Sequence, residues 1–344
     1  MNFIASINRI AEIAPLPVGL MRLGIDRIVA RSAMQLAVHP EGSEEMFVRD
    51  MVDHPIAEFA SSANEQHYEL PPEFFARILG PQRKYSCCLY DQRPDTLAAA
   101  EERALSETAA HAELADGQHI LELGCGWGSL SLWMARHYPR AQIVAVSNSQ
   151  PQRAYIESVA RDQGIGNLTV VTADMNIFEP GAQFDRIVSV EMFEHMANWE
   201  RLLARVRTWL TPDGRLFLHV FSHRDVPYRF NHDDPNDWIA QHFFTGGIMP
   251  SHRMIRHFDS FFTLEQEWRW NGSHYAKTAL DWLANYDRNI DELMPILRDV
   301  YGDNASLWRR RWRIFFLATA GLFGHQNGDL WAVSHYRLRP ARSV

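Results

Sequence analysis

The chain predicts an α/β protein built on a doubly wound parallel sheet, with a helical extension before the sheet and a helical cap near its end. Three observations carry this. Five short, largely apolar runs alternate with helical patterns, at crossovers of roughly 10–15 residues that suit parallel strands. The first run, Ile120-Leu-Glu-Leu123, passes straight into Gly124-Cys-Gly126-Trp-Gly128 and then a helical pattern. Before about residue 85 no strand pattern occurs at all.

In chain order, residues 1–38 read as two amphipathic helices broken at Pro15-Leu-Pro17, and residues 44–60 as a third. Pro71-Pro72-Glu73 opens a fourth. Tyr85-Ser86-Cys87-Cys88 follows, then a helix from about Thr96 to Leu114. Strands are expected at His119–Leu123, Gln142–Ser147, Leu168–Thr172, Phe184–Val190 and Arg215–Phe221, and helices between them at Ser129–His137, Gln150–Gln163 and Trp199–Trp209. Past Phe221 the alternation breaks into a loop rich in His, Asp and Pro (Ser222–Asp237) and a segment Trp238–Gly247. A short helix at Ser251–Phe258, a strand at Phe262–Trp270, helices at Thr278–Tyr301 and Ser306–Phe323 and a last strand at Leu330–Leu338 complete the chain. The late helices interrupt the sheet between its last two strands, which makes them a cap over the ligand edge. The expected division is a helical extension (1–84), a nucleotide-type core (85–225) and cap helices with the last strands (226–344).

With 344 residues, 46% of them hydrophobic, the chain can bury a large core. A net charge of −8 and a pI of about 6.0 argue against nucleic acid as a partner. Lys84 and Lys277 are the only lysines, so nearly all positive charge is arginine. Cys87 and Cys88 are adjacent and Cys125 sits inside the glycine turn, so no disulfide framework is expected and a reducing cytoplasm suits the chain. No apolar run has the length of a membrane span, and arginines interrupt residues 1–37, so no signal peptide is read there. The expectation is a soluble protein with at most peripheral membrane contact; a homodimer is compatible with it.

Ligands of such sheets bind beyond the carboxyl ends of the strands. The turn Gly124-x-Gly126-x-Gly128 offers bare backbone N–H groups at a helix start, which suits an adenosine-type cofactor. Glu122, two residues before the first glycine, matches the E-x-G-x-G-x-G turn of S-adenosylmethionine (AdoMet) methyltransferases better than the G-x-G-x-x-G of NAD enzymes. After the second strand stand Ser147-Asn148, which can bond a ribose without charge. After the third stands Asp174, a candidate for an adenine amine or simply a helix cap.

The fourth strand ends in Glu191-Met-Phe-Glu194-His195. If this stretch opens a helix, Glu191, Glu194 and His195 share one face as an acid–base cluster. The bland alternative is a solvated acidic helix start. The spacing is not that of a zinc site, and no metal is expected. His219, inside the fifth strand, would by itself pass for a satisfied core histidine.

Tyr85-Ser-Cys87, Glu122-Leu-Gly-Cys-Gly-Trp-Gly128, Phe184-Asp-Arg-Ile-Val-Ser-Val190, Met192-Phe-Glu-His195 and Leu218-His219 together resemble the cyclopropane fatty-acid synthase group of AdoMet-dependent enzymes. Lys84-Tyr-Ser-Cys-Cys-Leu-Tyr90, Phe243-Phe-Thr-Gly-Gly-Ile-Met-Pro250 and His274-Tyr-Ala-Lys-Thr278 are closer to the coclaurine and related alkaloid N-methyltransferases. This resemblance runs from about His67 to the C-terminus and implies a class I, Rossmann-like methyltransferase fold. It implies an AdoMet site of Tyr85, Ser86, Glu122, Gly124, Gly126, Ser147, Asn148, Gln152 and Asp174. In the synthases, positions matching Cys87, Glu194, His219 and Tyr275 hold a bicarbonate, and glycine typically stands at Glu191. The alkaloid enzymes carry Glu there, within a Glu–Glu–His catalytic set.

The expected reaction is methyl transfer to a small, aromatic or alkaloid-like amine. Glu191 and Glu194 would attract the ammonium and His195 would take its proton. Phe243, Phe244, Trp270, Tyr275, Trp282 and Trp331 would wall the pocket, at about 0.5–2 kcal/mol for each cation–π contact. The alternative is a cyclopropane synthase or lipid methyltransferase acting on unsaturated phospholipid with bound bicarbonate, its Trp308-Arg-Arg-Arg-Trp-Arg313 run touching head groups. A catalytically silent AdoMet-binding protein is the reading from another class.

Overall fold

The apolar run before the glycine turn forms β1 (His119–Leu123), buried from Ile120 onward. Ile120 packs on one face of the sheet against Leu105 and Ala109, and Leu121 and Leu123 on the other against Leu202 and Leu203. A strand covered on both faces must be apolar at successive positions, which is why it shows little alternation. The computed structural model describes Glu12 and residues 16–58, 70–91, 95–234 and 237–341.

β2 (Gln142–Ser147), β3 (Leu168–Thr172) and β4 (Phe184–Val190) begin and end where the sequence places them. β5 runs longer than expected, Leu210–His223. These five strands are parallel. β8 (Phe262–Trp270) and β9 (Trp331–Pro340) add antiparallel, with β9 inserted between β5 and β8, giving the order β3-β2-β1-β4-β5-β9-β8. The chain leaves β1 in one direction toward β2 and β3 and returns on the other side at β4. The switch point therefore lies at the carboxyl ends of β1 and β4, where a crevice must open.

The helices are α1 (Val18–Ala37), α2 (Ser43–Asp50), α3 (Pro72–Ile78), α4 (Leu97–His111), α5 (Ser129–His137), α6 (Gln150–Asp162), α7 (Trp199–Thr208), α8 (Trp238–His242), α9 (Ser273–Arg288), α10 (Ile290–Tyr301) and α11 (Ala305–Gly324). Several differ from expectation. The helix expected over 44–60 stops at Asp50 and tightens into a 3-10 turn, because Pro55 forces His54 into an extended conformation. The single helix expected over Thr278–Tyr301 starts earlier and divides at Asn289. The helix expected at Ser251–Phe258 is a 3-10 turn, Met254–Phe258. The stretch read as loop contains β6 (Tyr228–Arg229), which pairs antiparallel with β7 (Ile248–Met249) beyond it. The helix expected before Pro15 lies outside the described residues, Glu12 excepted.

α1, α3 and α9–α11 share one apolar cluster that includes Trp282, Tyr286, Trp312 and Phe316. At Gly321 a Cβ would lie 2.5 Å from Ile25 Cγ2, so the missing side chain on α11 lets α1 lie close upon it.

Candidate active site

The three glycines of the turn all have left-handed φ (79°, 51° and 77°), yet they serve different ends. A Cβ on Gly124 would meet Met192 Cβ at 2.5 Å, and one on Gly128 would meet Ile156 Cγ1 at 2.6 Å. On Gly126 it would meet nothing within 4 Å. Gly124 and Gly128 thus secure packing, with Gly128 capping α5, while Gly126 borders open space. That space is a cavity lined by Tyr85, Ser86, Glu122, Gly124, Gly126, Ser147, Asn148, Gln152 and Asp174. Gly128, also expected there, does not reach it.

The lining suits a cofactor with a cationic and several polar groups. Glu122 is buried, accepts a hydrogen bond from Ser131 Oγ, and is pushed by burial up to about 7. Gln152 accepts from Ser147 Oγ at 2.6 Å, and its buried Nε2 has no partner among the described residues. A buried amide donor in a cavity wall costs stability until something accepts from it. Gly126→Val is expected to raise the dissociation constant of AdoMet at least about tenfold, or about 1.4 kcal/mol, while the fold survives a left-handed valine at about 1–2 kcal/mol. Calorimetry on the folded variant checks this; unchanged affinity would remove the cofactor from this turn.

A second cavity, of about 530 Å³, lies under the cap. Tyr85, Glu191 and His195 line both cavities. Its walls are largely apolar and aromatic, with Phe221, Phe230, Phe244, Tyr275, Trp282 and Phe323 among them. α1 supplies one side through Ile25, Ile28, Val29 and Leu36, a contribution that residues 18–37 gave no sign of in the sequence. Three of the aromatics expected in the wall are elsewhere. Phe243 stacks on Phe315 at 4.4 Å, Trp270 packs on His335 at 4.3 Å, and Trp331 is buried with its indole N–H donated to Tyr228.

The acid–base cluster does not form a helical face. Glu191 adopts a left-handed φ of 49° directly after β4, and Phe193–His195 is a 3-10 turn. This gives the two glutamates different surroundings. Glu194 is wholly buried, accepts the Phe221 N–H at 2.6 Å and reaches neither cavity. Burial, with Glu191 nearby, pushes its carboxyl well above the usual range, and its Oε2 has no partner among the described residues. His195 faces both cavities beside Phe244, its ring 4.4 Å away. Burial pushes this imidazole down to about 4, with Glu191 opposing.

Around Glu191 the residues converge. Oε1 accepts the Cys87 backbone N–H at 2.9 Å and faces His219 Nε2 at 3.1 Å; Oε2 accepts the Tyr275 hydroxyl at 2.6 Å. Burial raises its pKa, while Lys84 and the Tyr275 and Cys87 hydrogen bonds pull it back. Cys87 contributes its main chain only. Its thiol is buried and pushed well above the ordinary range, so it is no nucleophile. Lys84, buried at 1% exposure, lines the first cavity and donates to Ser86 Oγ at 2.5 Å and to the Cys87 carbonyl at 2.7 Å. Its role went unread, although a chain with two lysines that places one beside Tyr85 and Ser86 carries a hint.

The arginine run on α11 is partly engaged by the protein itself. Arg311 pairs with Glu12 at 2.9 Å, Arg310 donates to the Glu12 carbonyl, Arg313 pairs with Asp287 at 2.8 Å, and Trp312 is fully buried. Arg309 stays exposed.

The mycolic acid cyclopropane synthetase family model matches residues 57–333. (S)-coclaurine N-methyltransferase of Thalictrum flavum subsp. glaucum is 33% identical over 285 residues, 81% of this chain and 79% of that one. Cyclopropane-fatty-acyl-phospholipid synthase of Escherichia coli K12 is 31% identical over 81% of this chain and 70% of its own. A crystal structure of coclaurine N-methyltransferase bound to N-methylheliamine and SAH superposes with a TM-score of 0.93 at 31% identity, covering 98% of this chain and 99% of that one. Glycine turn, switch-point crevice and these likenesses agree: the chain belongs to the mycolic acid cyclopropane synthetase family, among the AdoMet-dependent methyltransferases.

Proposed function

We propose that the protein N-methylates a small aromatic secondary amine, with AdoMet at the glycine turn and the amine under the cap. The observation that carries this reading is that Tyr85, Glu191 and His195 line both cavities, so a carboxylate and an imidazole stand where two ligands meet. The relatives named as N-methyltransferases support it. Bound AdoMet supplies a methyl group on a sulfonium, open to in-line displacement.

The chain's residues do the rest. A secondary ammonium has two N–H bonds, and the site offers two acceptors. Glu191, fixed by Cys87, His219 and Tyr275, draws the cation in and takes one proton, its raised pKa suiting it to that task. His195, neutral because burial lowers its pKa, accepts from the remaining N–H and aims the lone pair. Aromatic walls exclude water and hold the amine in register; such positioning supplies roughly 7–11 kcal/mol of a barrier. The buried, unpaired cysteines suit a reducing cytoplasm.

A phospholipid substrate fits less well. Three of the four residues matching those that hold bicarbonate in the synthases, Cys87, His219 and Tyr275, here hold Glu191, the protein's own carboxylate. Among the described residues no helix is long and apolar enough to cross a membrane. The pure protein incubated with AdoMet and either a panel of tetrahydroisoquinoline and phenethylamine substrates or unsaturated phospholipid vesicles decides between them by mass spectrometry. N-methylated amine is expected, at a rate indifferent to bicarbonate. Methylene transfer to lipid faster than to any amine, or amine turnover that stops in carbonate-free buffer, would overturn the proposal.

A further inference from the structure

Three histidines run in a row from Glu191 to the protein surface. His219 Nε2 lies 3.1 Å from Glu191 Oε1, and His219 Nδ1 lies 2.9 Å from His335 Nε2. His335 Nδ1 lies 2.9 Å from His111 Nδ1, and His111 Nε2 lies 3.0 Å from Glu107 Oε1. His219 and His335 are wholly buried, whereas the Glu107 side chain is 45% exposed. The row thus joins the bottom of the active site to solvent without a gap.

The fold builds this row deliberately. His219 on β5 and His335 on β9 are direct partners in the antiparallel register. His111 ends α4 and is stacked on Trp268 of β8 at 3.8 Å and 9°. Trp270 packs across both inner rings, at 5.4 Å and 4.3 Å. Packing alone would fill such a place with valine or leucine, because buried polar rings are costly unless every nitrogen is satisfied. Here every ring nitrogen of the three has a partner.

We propose that Glu191, His219, His335, His111 and Glu107 form a proton relay that carries the amine's proton from the active site to solvent. It rests on the amine reading. There, an ammonium R2NH2+ gives one proton to Glu191, the nitrogen pair bonds the methyl carbon, and the C–S pair leaves on sulfur. The product is R2NH+–CH3, and one proton per turnover remains on Glu191 and has to reach solvent before the next.

With Glu191 protonated, its O–H faces His219 Nε2; the rings carry hydrogen on His219 Nδ1, His335 Nδ1 and His111 Nε2. The Glu191 proton passes to His219 Nε2 as the Nδ1 proton passes to His335 Nε2. The His335 Nδ1 proton passes to His111 Nδ1, and the His111 Nε2 proton leaves to Glu107 and water. Each bond to hydrogen that breaks is matched by one that forms. A turn of the rings then restores the first arrangement.

Burial holds His219 and His335 well below the usual histidine range, with Lys84 adding to it, so each ring keeps one N–H and one lone pair. Lys84, Tyr275 and Cys87 face the inner end. At the outer end Glu107 faces His111, and Arg337, paired with Glu113 at 2.8 Å, donates to the His111 carbonyl at 3.3 Å.

The test follows a single turnover of the AdoMet complex with a tetrahydroisoquinoline in weak buffer. A pH-indicator dye reads proton release, and quenched samples read methyl transfer. In the wild type the two should coincide. In His111→Gln and His335→Gln, proton release should lag at least about tenfold, kcat should fall with KM unchanged, and added imidazole should restore His111→Gln at the open end. Structural damage alone would neither separate the two signals nor respond to imidazole. Should His335→Gln not fold, His111→Gln at the surface decides. Folded variants that release the proton at the wild-type rate overturn the relay. A wild type that methylates no amine overturns the functional reading instead, and proton NMR then judges the relay by itself. Slowly exchanging downfield imidazole N–H resonances that vanish in His335→Gln support the row, and their absence from the wild type refutes it.

Discussion

Glu191→Gly lowers kcat/KM for an amine by roughly two to four decades, the usual contribution of a positioned proton acceptor, and added bicarbonate returns part of the loss. The substitution is one the backbone accepts. Glu191 holds a left-handed φ of 49°, so glycine there removes a strain of about 1–3 kcal/mol. The side-chain loss is more serious. The Cys87 N–H and the Tyr275 hydroxyl lose their acceptor and His219 Nε2 its partner, all three left around a hole the size of a carboxylate. A planar oxyanion fills that hole with the same hydrogen bonds. Initial rates in carbonate-free buffer, titrated with bicarbonate beside a urea melt, read both effects. The pH dependence has a definite sign: the wild-type kcat/KM rises with pH as Glu191, raised by burial, loses its proton, and falls again once the free amine loses the charge that Glu191 draws in. Near wild-type turnover in the glycine variant would show that Glu191 is not the acceptor.

His195→Ala and Glu194→Gln part company, although the two residues are neighbours. His195→Ala is expected to lower kcat by roughly two decades with AdoMet affinity unchanged, because the amine N–H loses its acceptor at the junction of the cavities. His195 is pushed down to about 4, so it stays neutral above that pH and adds no acid limb to the rate. Glu194→Gln keeps a carbonyl oxygen for the Phe221 N–H and removes a carboxyl that burial already keeps neutral. Its turnover should stay within a few-fold of wild type. Steady-state kinetics with calorimetric AdoMet titration measure both; equal losses would mean that the cluster acts as one unit.

The sheet was legible because buried parallel strands write near-continuous apolar runs, and the glycine turn because close approach admits no side chain. Glu122, the glycines, Ser147, Asn148 and Asp174 stand at or just past strand ends, where a local pattern points to them, whereas Tyr85, Ser86 and Gln152 came only from the family resemblance. Gly128 lies off the cavity, since capping and ligand approach ask for the same residue type. Glu191, Glu194 and His195 have the spacing of one helical face, and a single left-handed residue keeps them from sharing one. Nothing local marks such a kink when the residue is not glycine. His219 looked like a core histidine, and alone it would be one. Its meaning depends on His335 and His111, distant in sequence and joined only by strand register and helix packing. The arginine run misled for the same reason, since its partners Glu12 and Asp287 come from other helices and the far end of the chain.

The seat of α1 on α11, which Gly321 makes possible, has a consequence for the order of events during synthesis. One wall of the second cavity leaves the ribosome long before the α11 surface that receives it. Closing so long a loop costs little more entropy than closing a short one, since the cost grows only with the logarithm of length. It does, however, fix when closure can occur. A nascent chain can fold its cofactor crevice from β1 to β4 while α1 waits undocked, its apolar face uncovered. The crevice at the glycine turn can therefore form before the second cavity is walled, which waits until α11 arrives to seat α1.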